Sequence, residues 1–495
     1  MIRTRFAPSP TGFLHVGGLR TALFSYLLAK NQGGQFLVRI EDTDQARFVE
    51  GAVENLLSSL KWAGIVPDEG VLVDDNNQVF QKGEYGPYIQ SERLDIYHTY
   101  VNQLLENGHA YHCFCSKERL DELRKMQEMS KQGTGYDGFC RTLSLDDAKQ
   151  RIQKGEVSVV RMKMPREGVT KFQDMIRGTV EFQNALVDDQ VLLKSDGFPT
   201  YHLAVVVDDH CMKITHVIRG EEWLSSTPKH IVLYQLFGWD APEFAHLPLL
   251  VNAQKQKLSK RHGDVSVEDF RSKGYLPEAL VNFVAFLGWN PGDDREMFTI
   301  QELEKEFSLA RASKSSAVFN EEKLIWYNKA YLKTFSANDL AQRALPFFEK
   351  VGLVSSDLSM EQLGKLVSLE KERANTLQDI PPALSFFFVH DLEYDPAMLV
   401  WKKDTAQGSG TKLDALKEIL ESLSEKEWSK EILEPKILEW IKQKEWGVGD
   451  VLWPMRVALS GQKNSPGPFE IADVLGKQRT LERIQKAIEM LKQIS

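Results

Sequence analysis

The stretch from Arg3 to Ile40 constrains this chain more than any other. Arg3-Thr4-Arg5-Phe6-Ala7 reads as a short strand, followed by the turn-forming Pro8-Ser9-Pro10-Thr11-Gly12 and then by Leu14-His15-Val16-Gly17-Gly18. Leu19, Leu23, Tyr26 and Leu27 fall at i, i+4, i+7 and i+8, one apolar face at helical spacing, so a helix starts at once. Gly33-Gly34 stops that helix before a second strand over Gln35 to Ile40. Strand, turn, helix and strand in this order predict a parallel sheet whose ligand site lies at the carboxyl ends of its strands, close to helix N-termini.

Near Ser91 the texture changes: charged helical patterns surround Cys113, Cys115 and Cys140 as far as Phe198-Pro199-Thr200-Tyr201. This predicts an inserted α+β domain over 91–198 between two halves of an α/β domain, 1–90 and 199–255. In the second half Leu203 to Val207 and Ile214 to Ile218 read as buried strands, Thr227 to Phe237 as a helix, and Ala245 to Val251 as a further strand. From Val267 the pattern is helical almost throughout, with pauses at Asn290-Pro291-Gly292-Asp293, Pro381-Pro382 and a flexible Thr405 to Gly410. Leu481, Ile484, Ile488 and Leu491 share one face of the last helix, a core-docking pattern. A helical region over 256–330 and an all-α region over 331–495 follow; no internal repeat is visible.

Composition excludes several classes. With 495 residues the chain has room for roughly three or four domains and can bury cores without disulfides or metals. Its 26% charged and 10% aromatic residues are ordinary for a globular protein, and no apolar run reaches the roughly 18 residues of a membrane span. Four Cys cannot make a secreted disulfide scaffold, and MIRTRFAPSPTG has neither a signal core nor a transit pattern, so a reducing cytoplasm is expected. A net charge of −9 argues against indiscriminate nucleic-acid binding but leaves room for a local basic groove.

Two segments carry the chemistry. In the first, a turn delivers His15, Gly17 and Gly18 to a helix start, where free N–H groups and the helix dipole favour anions and an imidazole can meet phosphate oxygens. Alone, this is equally a glycine turn with a capping His. In the second, Lys255-Gln256-Lys257-Leu258-Ser259-Lys260-Arg261-His262-Gly263 places four cations just after the last α/β strand, where ammonium groups can follow a leaving pyrophosphate and Ser259 can donate a hydrogen bond. Alone, this is equally a solvated basic loop.

Taken together and in this order, the two segments resemble the HIGH and KMSKS signatures of class I aminoacyl-tRNA synthetases. Arg5 to Gly12, Ile40-Glu41-Asp42-Thr43-Asp44, Pro199-Thr200-Tyr201-His202, His216 to Glu222 and Lys257 to Arg261 are similar, in sequence order, to the glutamyl-tRNA synthetases. Trp453 to Gly461 in the helical third resembles their bacterial-type anticodon-binding region. The resemblance implies a Rossmann-like catalytic domain, an inserted acceptor-end domain, a stem-contact region and an all-α anticodon-binding region. It implies ATP-dependent ligation of L-glutamate to tRNA(Glu) through an adenylate, with Mg²⁺ on the ATP, in a cytoplasmic monomer with no membrane partner. His15, Lys257 and Lys260 would be catalytic, and His15, Gly17, Gly18, Ser259 and Lys260 would hold ATP. Arg5 and Arg219 would meet the glutamate carboxylates and Glu41 the ammonium, with Ser9 and Tyr201 completing the pocket, a set that suits a substrate with two carboxylates and one amine. Asp42 and Asp44 would orient the loop or the tRNA end, or cap a helix. A glutaminyl-tRNA synthetase usually carries a β-barrel C-terminal region instead, and a non-catalytic tRNA-binding paralogue has no chemical need for His15, Lys257, Lys260, Arg5 and Glu41 together.

Cys113 and Cys115, at i and i+2 on a strand, point the same way and with Cys140 could share a metal. Family members with zinc here often supply a His two residues after the third Cys, where this sequence has Thr142. Tyr136 could be the fourth ligand, whereas His112 should face away; zinc and reduced structural thiols both stay open, and Cys211 reads as core. Arg373 is the one anticodon-side contact singled out, with a solvated helix face as the alternative.

Overall fold

The computed structural model describes residues 1–131, 133–258, 266–354 and 358–494. The chain divides into two compact units, Met1–Ser272 with Pro277–Tyr327, and Lys273–Leu276 with Asn328–Ser495.

Among the described residues, the strands of the first unit are β1 (Arg3–Phe6), β2 (Gln35–Val38), β3 (Glu69–Val73), β4 (Val79–Lys82), β5 (Ala110–Cys113), β6 (Val159–Met162), β7 (Val169–Asp174), β8 (Gly178–Gln183), β9 (Val191–Leu193), β10 (His216–Gly220), β11 (Glu243–Leu247), β12 (Leu250–Val251) and β13 (Ala317–Val318). Its helices to residue 237 are α1 (Val16–Asn31), α2 (Ala52–Trp62), α3 (Leu94–Glu106), α4 (Lys117–Met129), α5 (Leu145–Gln153), α6 (Tyr201–Cys211) and α7 (Thr227–Phe237). Eight strands form one sheet in the order β4-β3-β2-β1-β10-β11-β7-β8, and β5-β6-β9 form a second, antiparallel one. In the large sheet β1 runs parallel to β2 and β10, β10 to β11, β11 to β7 and β2 to β3, while antiparallel hairpins close both edges.

Helix α1 packs on β1, β2 and β10, and Leu19, Leu23, Tyr26 and Leu27 are all buried. The helix is buried on nearly every side, because the helices Pro277–Ala285 and Ile300–Glu306 also pack against it. The chain leaves α1 through Gly33 in the left-handed region (φ +60°), and a Cβ on Gly34 would stand 2.2 Å from the Ile2 carbonyl oxygen. Only glycine lets the turn pass so close to β1.

Three expectations change. Leu203 to Val207, read as a strand, lie in helix α6. An unbroken apolar run carries no period, and here every side is covered, so burial does not distinguish strand from helix. The helix also brings Asp208 and Asp209 to three buried arginines, Arg5, Arg39 and Arg93. Ala245 to Val251 splits into β11 and β12 at Pro248, and β12 pairs in parallel with β13. Thr405 to Gly410, read as flexible, opens the helix Ala406–Ser422, in which Thr405 Oγ1 accepts the Gly408 N–H at 2.9 Å. A Cβ on Gly408 would meet Asp404 Oδ1 at 2.4 Å, so this glycine serves close approach at a helix cap. The hairpin β7–β8, inside the segment 91–198, joins the large sheet through β11.

The second unit is helical among the described residues. The helix Ala406–Ser422 packs along the last helix, Lys477–Gln493, where Ile484, Ile488 and Leu491 are buried and Leu481 is half-buried. Pro381 and Pro382 sit in the first turn of the helix Ile380–Leu384, where a missing N–H leaves no hydrogen bond broken. Among the described residues no helix is long and apolar enough to cross a membrane.

Candidate active site

His15 is the N-cap of α1, and its Nδ1 accepts the Gly18 N–H at 3.0 Å. An imidazole nitrogen that accepts carries no proton, so the neutral ring bears its proton on Nε2. A Cβ on Gly17 would come within 3.1 Å of the ring, so this glycine gives the imidazole its place. His15, Gly17 and Gly18 border a cavity of about 690 Å³ at the carboxyl ends of β1 and β10, with the α1 N-terminus and its outward N–H groups on one side.

On the other side, Arg5 comes from β1 and Glu41 from just beyond β2. The two segments are sewn together where Arg39 N–H donates to Phe6 O at 3.0 Å and Glu41 N–H to Pro8 O at 2.9 Å. Arg5 Nε donates to Asp209 Oδ1 at 3.1 Å, and Arg39 reaches Asp209 Oδ1 at 2.8 Å and Glu41 Oε1 at 2.9 Å. Arg93 Nε donates to Asp208 Oδ1 at 2.7 Å. Three buried guanidinium groups are thus matched by three buried carboxylates, the arrangement in which removing one member is costly. Arg5 and Arg39 hold Asp209 below the usual carboxylate range in spite of its burial. Burial wins at Glu41, whose carboxyl is pushed up although Arg39 opposes it. An incoming ammonium would restore the charged form, so Glu41 is suited to an amine.

Arg219 on β10 is buried, and each of its donors is taken by a neutral acceptor: Nε by His246 Nε2 at 3.0 Å, Nη1 by Tyr201 Oη at 3.1 Å and His230 Nδ1 at 3.2 Å, Nη2 by Thr227 Oγ1 at 2.8 Å and Trp223 O at 3.5 Å. His230 Nε2 then faces His202 Nδ1 at 3.0 Å, and His246 Nδ1 faces Asp174 Oδ2 at 2.6 Å. No carboxylate among the described residues pairs with this guanidinium, so its charge is unmatched, and an anion would bind it by displacing a neutral acceptor, of which Trp223 O at 3.5 Å is the most weakly held.

Burial, aided by Lys229 and Arg219, lowers the His202 pKa to about 4. Unfolded chains take up that proton near pH 6.5 and the folded protein does not, so this stability is full above pH 6.5 and is lost as pH falls toward 4. The loss for His202 is about 2 kcal/mol at pH 5 relative to pH 8. Thermal midpoints measured from pH 8 to 5 should fall less in His202→Gln than in the parent, and equal slopes would count against the assignment.

Ser9, Tyr201 and Lys257 also border the cavity, Lys257 as an exposed side chain in the turn after β12. Ser259, Lys260, Arg261, His262 and Gly263 lie outside the described residues. Asp42 is buried and accepts the Ser91 N–H at 2.8 Å, which ties the loop after β2 to the start of the next segment. Asp44 borders the cavity, holds Arg47 at 2.6 Å and makes no side-chain cap bond. Sequence reasoning missed Arg39, Asp208, Asp209, Asp174, His230 and His246, and gave His202, quoted within a motif, no role. For the first three a signal existed: charged residues abutting apolar runs cannot all reach water. For Asp174, local sequence gives none.

In the small-sheet region, Cys113 Sγ, Cys115 Sγ and Cys140 Sγ lie within 4.8 Å of one another. Tyr136 Oη sits between them, 3.4 Å from Cys113 Sγ and 3.6 Å from Cys115 Sγ, and accepts the Cys140 N–H at 2.9 Å. Hydrogen bonding from Tyr136 and the nearby Arg161 lower the Cys113 pKa against its burial, while burial pushes Cys115 up to about 11. His112 turns away to Ser158 Oγ at 3.2 Å, and Cys211 lies apart, against Tyr100. In the second unit Arg373 pairs with Glu370 at 3.4 Å, donates to Asn464 O at 2.9 Å, and borders a cavity of about 1190 Å³ that also takes in Lys365, Lys430, Arg456 and Arg479.

Residues 1–326 match the family described as tRNA synthetases class I (E and Q), catalytic domain, and residues 339–488 match the anticodon binding domain family. A glutamate–tRNA ligase of Clostridioides difficile is 48% identical over 492 residues, 98% of each chain. One of Finegoldia magna is 48% identical over 496 residues, 98% of this chain and 99% of the relative. A crystal structure of a glutamate tRNA ligase from Elizabethkingia meningosepticum in complex with its amino acid superposes with a TM-score of 0.87 at 38% identity, covering 99% of each chain. A catalytic-family match over most of the chain, relatives of nearly equal length and the same fold agree: this chain belongs to the class I tRNA synthetases for glutamate and glutamine, among the glutamate–tRNA ligases.

Proposed function

We infer that the chain joins L-glutamate to tRNA(Glu) at the expense of ATP, releasing AMP and pyrophosphate. The observation that carries this is the single cavity bordered by a phosphate-ready helix N-terminus, the buried Arg5 and Glu41, and the anion-seeking Arg219. Arg5, anchored through Nε to Asp209, and Arg219, beside Tyr201, meet the two substrate carboxylates, while Glu41 holds the ammonium and Ser9 adds a hydroxyl. The α-carboxylate attacks the α-phosphorus of ATP and pyrophosphate leaves; a ribose hydroxyl of the terminal tRNA adenosine then takes the acyl group and AMP departs. No covalent enzyme intermediate is needed, so catalysis consists of positioning and charge stabilisation. His15 Nε2–H donates to a phosphate oxygen, Gly17 and Gly18 leave room for the nucleotide, and Lys257 supports the pyrophosphate. Ser259 and Lys260 enter on their motif alone, and Mg²⁺ travels on the ATP phosphates. Arg373 is proposed to meet the anticodon. The reading includes a cytoplasmic, monomeric enzyme.

Aminoacylation with labelled glutamate and labelled glutamine, run on purified tRNA(Glu) and tRNA(Gln), tests it. Glutamate transfer to tRNA(Glu) is expected, and glutamine transfer instead would reverse the pocket assignment.

The cysteine cluster offers three sulfurs and one phenol oxygen at distances a small shift would bring to tetrahedral coordination, and we propose that it holds one structural zinc, with Tyr136 where the sequence lacks a His. Protein purified without added metal should carry about one equivalent, and Tyr136→Phe should lose it to chelator faster. Less than about a tenth of an equivalent would leave three reduced thiols as the answer.

A further inference from the structure

The orientation of Arg219 rests on one imidazole whose tautomer the structure determines. Arg219 Nε carries a single proton and can only donate; its acceptor is His246 Nε2 at 3.0 Å. That nitrogen is therefore bare and the ring proton sits on Nδ1, which faces Asp174 Oδ2 at 2.6 Å. Asp174 is itself fixed, since its Oδ1 accepts the Ile176 N–H at 3.0 Å and the Arg177 N–H at 2.8 Å, and its Oδ2 the His246 N–H at 3.2 Å. Asp174, His246 and Arg219 are 1%, 0% and 5% exposed, so water cannot substitute for any of these bonds. Asp174 comes from the end of β7, a strand that lies beside β11 although it is far from β10 in sequence.

We propose that Asp174 and His246 are positioning residues for amino-acid selection: Asp174 locks His246 in the Nδ1–H tautomer, and the bare Nε2 so fixed holds the Arg219 guanidinium toward the substrate carboxylate. The proposal rests on the reading of Arg219 as the carboxylate-binding group. It makes an isosteric change disruptive. In Asp174→Asn the two amides at Oδ1 keep the new side-chain oxygen on their side, which turns the NH₂ group toward His246 Nδ1. The ring can accept that hydrogen bond only by moving its proton to Nε2, where it opposes the Arg219 N–H and finds Thr227 Oγ1, 3.2 Å away, as an alternative partner. A carboxylate-to-amide exchange beside a working imidazole acts through the tautomer in other enzymes too.

The test is steady-state aminoacylation by the full chain, with glutamate, ATP and tRNA varied in turn. Asp174→Asn should raise the glutamate KM by about tenfold or more and leave the ATP KM within about threefold. An amide at 246 needs no tautomer, but only the longer one reaches the position of Nε2. Hence His246→Asn should raise the glutamate KM more than His246→Gln, and the double variant Asp174→Asn, His246→Gln should return to the value of His246→Gln alone. A merely structural role for Asp174 at the sheet corner predicts the opposite, a double variant worse than either single one. An unchanged glutamate KM in Asp174→Asn, or no rescue in the double variant, would overturn the proposal. If Asp174→Asn does not fold, the His246→Asn and His246→Gln pair decides, and equal effects there would overturn it as well. Arg219→Gln separates the two layers: a raised glutamate KM there with an unchanged one in Asp174→Asn removes the relay alone, whereas no effect at Arg219 removes the carboxylate reading and the relay with it.

Discussion

Arg219→Gln should lower kcat/KM for glutamate about a thousandfold, equivalent to about 4 kcal/mol, and lower it far less for glutamine. The guanidinium is buried, and among the described residues its partners are His246, Tyr201, His230, Thr227 and Trp223, none of them anionic. On the proposed reading its counter-ion is the side-chain carboxylate of glutamate, in surroundings where charge is weakly screened. Gln keeps part of the hydrogen bonding and removes the charge, so the loss falls on the substrate that brings a second carboxylate. Initial rates with both amino acids on tRNA(Glu) measure it. A glutamate kcat/KM within about threefold of the parent would place carboxylate recognition elsewhere.

His15→Asn should lower kcat about 100- to 1000-fold with little change in stability. The side chain has two separable tasks, because Nδ1 caps α1 through the Gly18 N–H while Nε2–H borders the cavity. Asn is among the best N-cap residues, so its amide oxygen takes over the first task, but it has no donor at the place of Nε2. His15→Ala removes both and should cost about a further 1 kcal/mol in stability. Single-turnover adenylate formation and the thermal midpoint, measured on both variants, separate the tasks. A kcat in His15→Asn close to the parent value would reduce His15 to a cap.

Elements set by nearby residues were legible in the sequence. The apolar face of α1, its glycine stop and the flanking strands follow from spacing within one segment, and the structure has them at Val16–Asn31, Arg3–Phe6 and Gln35–Val38. Helix α6 was not legible, because an apolar run covered on all sides reads alike as strand or helix; what decides it is the set of arginines that Asp208 and Asp209 must reach. The site divides in the same way. His15, Gly17, Gly18, Arg5, Ser9, Glu41, Tyr201, Arg219 and Lys257 were readable from motifs, and all border one cavity. The groups that hold them, Arg39, Asp209, His230, His246 and Asp174, come from strands and helices whose adjacency is a property of sheet order.

That sheet order also sets a schedule. β1 lies between β2, made almost at once, and β10, which ends at Gly220, and the β7–β8 hairpin waits for β11 in the same way. At roughly 5 to 20 residues per second, one edge of β1 stays without its neighbour for roughly 10 to 40 s while the chain is being made. A strand edge left open that long can recruit the wrong partner. Arg5 projects from that same strand, so the cavity it shares with Arg219 cannot close on a ribosome until β10 is made, and a chain cut short before Gly220 would have the His15 helix start without the far wall of that cavity.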